Sequence, residues 1–224
     1  REEIASATLG YSPAMLERLF DEALLLALRD GREALNAADL RRARFETELG
    51  LPEVVESPDH EIETIATHEA GHATIAYLVG KGRRLEVLSI VKRKEALGFL
   101  AHRLSEERHT QTRSEMEAII QIALGGMVAE ELFLGGSLVS FRALDPGAFG
   151  GNLVATVMAD DRGRDAVERV LDEQKARVTE LMAAHRHLVE ALRDALLDRK
   201  ELVDAEIIEV LHDAEAERLA ERVH

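Results

Sequence analysis

Cysteine is absent from all 224 residues. That excludes disulfides, thiolate metal ligands and a cysteine nucleophile. Tryptophan is absent too, and only six Phe and two Tyr supply aromatic bulk. The core must therefore be aliphatic, a composition that favours packed helices. Basic residues are outnumbered, 28 Lys and Arg against 43 Asp and Glu, for a net charge of −15. Such a chain lacks the clustered cations that nucleic-acid binding needs, and it is repelled by anionic lipid. No apolar run approaches the roughly 20 residues of a membrane span. No signal peptide stands at the start, and the first residue is Arg1, not Met, as in a fragment or a processed form.

What is present suits one domain with a smaller companion, able to bury roughly 70% of its unfolded surface. The stretch 11–31 predicts a helix with Ser12 as cap, Pro13 at the first helical position and Gly31 past the end. A second helix is expected between Asn36 and Gly50, then a proline-broken linker over 51–58. A third helix runs from about Asp59 to Val79 and stops at Gly80 and Gly82. "RLEVLSIVKR" and "LGFLAHRL" read as two short strands. Thr112 and Glu115 stand at capping-box spacing before a helix reaching about Leu134. A glycine-rich loop, with one short strand at "SLVSF", precedes three helices from about Asp161 onward.

The third helix carries His68-Glu69-Ala70-Gly71-His72. Helix positions i and i+4 share a face with Cβ atoms about 5–6 Å apart, so two imidazoles there can reach one Zn²⁺. The glutamate, about 100° round the helix, can take a proton from a water without ligating the metal. Chance alone produces the pattern in roughly one shuffled sequence of this composition in twenty. Its placement adds weight. Ile62, Ile65, Ala73, Ile75, Ala76 and Val79 define an apolar arc that includes the three polar residues. Imidazoles and a carboxylate set among aliphatics need partners, and a metal supplies them to both histidines. The competing reading has two core histidines bonded to backbone carbonyls and Glu69 paired with an arginine. Gly71, costing about 1 kcal/mol against alanine in mid-helix, predicts close approach of another segment.

"HEAGHA" at 68–73, with "GGMVAEELFLG" at 125–135 beyond two strands, resembles the FtsH-type ATP-dependent zinc metalloproteases. "IVKRKEALGFLAHRL" is similar to the family's strand pair beside the active site, and the C-terminal helices to its closing bundle. "IASATLGYSPAMLERLFDEALLLALR" resembles the last helices of the AAA-plus lid. The resemblance implies a mainly α fold: residues 1–50 ending a lid, 51–58 a linker, and 59–224 a helical zinc-peptidase domain with a small hairpin or sheet beside the HExxH helix. It implies His68 and His72 as zinc ligands and Glu69 as general base. The family's third ligand is an aspartate after the AEE helix, in a pattern like GxSxDxxxAT, and that pattern is missing near Gly135–Gly136. Asn152 stands where "FGGNLVAT" superficially resembles it. Glu130 and Glu131 are alternative third ligands or outer groups, and Asp145 is a weaker candidate. His102 and His109 read as exposed or loop residues, His185 and His187 as residues of a helix junction.

The implied activity is the zinc endopeptidase part of an ATP-dependent protease that degrades unfolded or membrane-associated proteins. "ALGFLAHRL" would hold an extended substrate by strand addition. No G-x-x-x-x-G-K-[ST] occurs, so ATP enters only through an upstream AAA-plus module. The family further implies a homo-oligomer, a hexamer, anchored in a membrane with the protease facing the cytoplasm. Two alternatives stand beside this reading: a stand-alone peptidase with a glutamate ligand, and an inactive member serving assembly or regulation.

Overall fold

The computed structural model describes residues 8, 10–53, 57–93, 96–104, 110–136 and 160–223. The chain divides into two compact units, 1–55 with 92–96, and 56–91 with 97–224.

In the first unit, α1 (Pro13–Arg29) and α2 (Ala37–Leu49) pack through Leu19, Ala23 and Leu26 against Leu40 and Ala43. Their ends follow the expected chemistry. Ser12 accepts from the Met15 N–H with Pro13 at the first turn, and Asn36 and Asp39 form a reciprocal capping box. Arg32 grips both oxygens of Asp39 at 2.7 and 2.6 Å and holds that carboxyl down at about 2. Pro52 and Glu53 pair with the 92–96 segment, where the Glu53 N–H donates to the Lys92 carbonyl at 2.8 Å.

The second unit is built round α3 (Asp59–Val79). A sheet of three antiparallel strands lies beside it in the order β2-β1-β3, with β1 at Arg83–Ser89, β2 at Phe99–Leu104 and β3 at Glu201–Val203. The strand β3 is too short to show a period and was not expected from sequence. Among the described residues the remaining helices are α4 (Arg113–Leu134), α5 (Asp161–Ala184), α6 (Arg186–Arg199) and α7 (Ala205–Val223). One aliphatic core joins Ala66, Ala70, Ala73 and Ile75 of α3 to Val128 and Ala129 of α4, Met182, Leu188, Leu192 and Leu202. The mainly helical architecture with a small sheet beside the HExxH helix is as expected. The strand expected at "SLVSF" lies outside the described residues.

The apolar arc needs correction. Between Ala66 and Ala76 every residue of α3 is buried except His68 and His72, which are half-buried. The helix is wrapped nearly all round, and its histidines mark the one side that opens. A helix at the centre of a domain has no single apolar face.

Candidate active site

The site forms where α3 crosses α4, and glycines set how close the two come. A Cβ on Gly71 would lie 2.5 Å from the Gly125 carbonyl oxygen and 2.5 Å from the Ala129 Cβ. A Cβ on Gly125 would meet the Gly71 oxygen at 2.8 Å. Backbone therefore rests on backbone, as the mid-helix glycine predicted. Gly126 makes room for a functional side chain, since a Cβ there would sit 2.4 Å from His68 Nε2. The paired glycines of "GGMVAEE" are thus a seat for the helix and for its first histidine.

That crossing brings His68 and His72 together with their rings nearly perpendicular, 80° apart, and their Nε2 atoms 2.9 Å apart. Both Nδ1 atoms are engaged elsewhere. His68 Nδ1 lies 2.5 Å from Glu130 Oε1, and His72 Nδ1 lies 2.6 Å from the Ile122 carbonyl oxygen. A carbonyl oxygen only accepts, so His72 carries its proton on Nδ1. The Gly126 N–H, 3.3 Å from the same nitrogen, is the weaker contact and does not set the tautomer. A carboxylate on the other Nδ1 fixes His68 in the same way. With both rings neutral, both Nε2 atoms then carry lone pairs, and the two nitrogens are 2.9 Å apart. Two lone pairs at 2.9 Å repel unless a cation lies between them. The donor set therefore fits a metal ion, and the carboxylate behind His68 is the outer partner that metal-bound histidines ordinarily have.

Burial favours the uncharged forms of His72 and Glu69. His72 is lowered to about 4 by desolvation, with smaller contributions from His68 and His102 against an opposing one from the Ile122 carbonyl. Its neutral form is the ligating form. Glu69 is 7% exposed, and desolvation raises its carboxyl to about 8. Its neighbour is Gly98, just before β2, where a Cβ would lie 2.9 Å from Glu69 Cγ and 3.0 Å from its Oε1. Only a residue without a side chain lets the edge strand pass over the carboxyl this closely. Gly98 was missed from sequence, where one glycine at a strand start reads as a turn residue.

The other candidates fall as follows. Glu130 is 3% exposed and meets Nδ1 of His68, not the Nε2 that faces His72. Glu131 pairs with Lys175 at 2.8 Å on an exposed surface. His102, expected to be exposed or in a loop, instead sits within β2, half-buried and paired opposite Leu85 of β1. His185 joins α5 to α6 and bonds the Leu181 carbonyl, while His187 lies within α6, half-buried, and accepts from Arg218. His109, Asp145 and Asn152 lie outside the described residues. Among the described residues, no group of three or more His, Cys, Asp or Glu is placed to hold a metal.

Residues 55–145 match Peptidase family M41, and residues 1–42 match the AAA+ lid domain. The chain is FtsH-type. The ATP-dependent zinc metalloprotease FtsH of Acidimicrobium ferrooxidans is 30% identical over 248 positions, covering 95% of this chain and 37% of that protein. The ATP-dependent zinc metalloprotease FtsH 4 of Sphaerobacter thermophilus is 27% identical over 251 positions, covering 94% of this chain and 37% of that protein. The FtsH of Aquifex aeolicus is 36% identical over 136 positions, with 60% and 21% covered. This FtsH-type chain thus spans about a third of the first two relatives and a fifth of the third. The match over 251 positions exceeds the 224 residues present, so that relative carries residues with no counterpart here.

Proposed function

We propose that this chain is the zinc-peptidase part of an ATP-dependent protease. The observation that carries the reading is the convergence of two bare Nε2 atoms at 2.9 Å, each with its Nδ1 engaged. His68 and His72 would hold the ion. When bound, Zn²⁺ supplies a positive charge that polarises a carbonyl, acidifies water and draws the Glu69 carboxyl toward its ionised form.

The chain's own residues do the rest. Glu69 is the general base: a carboxylate oxygen takes a proton from water and then returns it to the leaving amine nitrogen. Glu130 acts behind it, accepting from His68 Nδ1 and so holding the ring's tautomer and angle. Among the described residues β2 ends the sheet on one side, so an extended polypeptide can add to its outer edge by main-chain hydrogen bonds. Such pairing reads little sequence, which suits unfolded substrates. By family resemblance the unfolding comes from an upstream AAA-plus module, and the assembly is a membrane-anchored hexamer facing the cytoplasm.

A second reading, an inactive member serving assembly, is favoured by the lack of a third ligand among the described residues. Metal analysis with a casein assay separates the two. The peptidase reading expects near one zinc per chain and casein cleavage that a chelator stops. Zinc-free protein after zinc loading, with casein intact, would favour the assembly role.

A further inference from the structure

The edge strand carries a polar side chain that the peptidase site does not absorb. His102 stands opposite Leu85 in the β1–β2 ladder, and Leu100 opposite Leu88. Leu85 and Leu88 belong to the buried core, and Leu100 packs against it. His102 and Leu100, two residues apart, share a face of β2. Gly98, two residues earlier, lies against Ile65 and Glu69 of α3. The face of β2 holding His102 therefore looks toward the core and toward α3, the helix that carries the two histidines. A bulge at Glu86, where the register shifts between Leu85 and Val87, lies directly across from it. Bulges of this kind re-aim side chains beside active sites.

The ring's tautomer follows from its partner. Arg83 Nη1 lies 3.0 Å from His102 Nδ1. A guanidinium can only donate, so Nδ1 accepts and the imidazole proton resides on Nε2. Burial, and after it the Arg83 charge, lower the pKa of His102 against a raising effect of Glu86, so the ring stays neutral. No described residue takes its Nε2. The result is a fixed neutral N–H donor on the strand along which the substrate is expected to lie.

We infer that His102 is a substrate-binding residue, its Nε2–H donating to a main-chain carbonyl of the extended polypeptide held along β2, with Arg83 as the residue that fixes its tautomer. This rests on the peptidase reading above. A donor to a carbonyl that is bound alike in ground and transition states changes KM and leaves kcat alone.

The test uses the intact zinc-loaded protein and fluorescent unfolded casein, with binding measured in a Glu69→Gln background and cleavage in the parent background. His102→Phe keeps the bulk and removes the donor. It should weaken casein binding and raise KM by about three- to tenfold with kcat unchanged, the scale of one neutral hydrogen bond. His102→Gln, which returns an N–H near the Nε2 position, should restore binding to within about twofold. Imidazole ¹⁵N shifts of the unmutated protein should show His102 protonated on Nε2. Casein bound equally well by His102→Phe, a His102→Gln variant as weak as the Phe one, or a proton on Nδ1 would overturn the inference. If the parent cleaves casein while any of these holds, this inference falls alone. If the parent neither binds nor cleaves casein, the peptidase reading falls with it.

Discussion

The carboxyl of Glu130 meets the imidazole of His68 at 2.5 Å, joining two helices through residues 62 positions apart. Glu130 is almost wholly buried there, on the Nδ1 side of the ring. It can serve the metal only by orienting a ligand. Glu130→Gln should therefore lower zinc affinity about 10- to 100-fold without abolishing binding, the usual cost of losing an outer partner. Competition against a chelator of known affinity measures this. Complete loss of zinc would instead mark Glu130 as a ligand.

The α3–α4 crossing depends on Gly71 and Gly125. Gly71→Ala pushes a methyl to 2.5 Å from a backbone oxygen of α4, which must then move away. The expected cost is about 1–3 kcal/mol of overpacking, set against a gain of about 1 kcal/mol in helix propensity, for a net loss of stability. Thermal melts of Gly71→Ala and Gly125→Ala should both show lowered Tm. A Tm unchanged in both would mean the helices do not touch here.

The metal-free protein should have a stability optimum set partly by Glu69 and His72. Glu69 rises from 4.5 to about 8 in the fold, so its burial costs stability progressively as pH climbs from 4.5, fully above 8. His72 falls from 6.5 to about 4, so its cost grows as pH drops below 6.5 and is complete below 4. These two groups together place the optimum at about pH 5.5, midway between their unfolded values. Glu69→Gln should remove the alkaline limb between about pH 6.5 and 8 and extend the acid limb, then set by His72 alone, up to about pH 6.5. Tm against pH in the presence of a chelator checks this. An unchanged alkaline limb would show that Glu69 is not buried without a partner.

Much of this was legible in the residues. Ser12, Asn36 and Thr112 cap helices where their side chains and spacing said they would, because capping is decided within one turn. The HExxH spacing put two imidazoles on one face because the helix period does so. Three things were hidden. The strand β3 has only three residues, and long-range pairing with β1 makes it a strand. The role of Glu130 needed the distance to His68, since a carboxylate on the next helix can face either nitrogen. Gly98 and Gly126 act by what they leave empty, and empty space has no sequence signature. The apolar arc was misleading for a related reason. Alanines on α3 are buried by neighbours on several sides, so periodicity marked no single face.

The peptidase site stands or falls with one divalent ion shared by His68 and His72 through Nε2. The most direct measurement is anomalous diffraction at the zinc absorption edge from crystals of the zinc-loaded protein. One anomalous peak is expected at bonding distance from both Nε2 atoms, with Glu130 still on Nδ1 of His68. A map with no peak there, or a peak bound through Nδ1 with the Nε2 atoms apart, would contradict it.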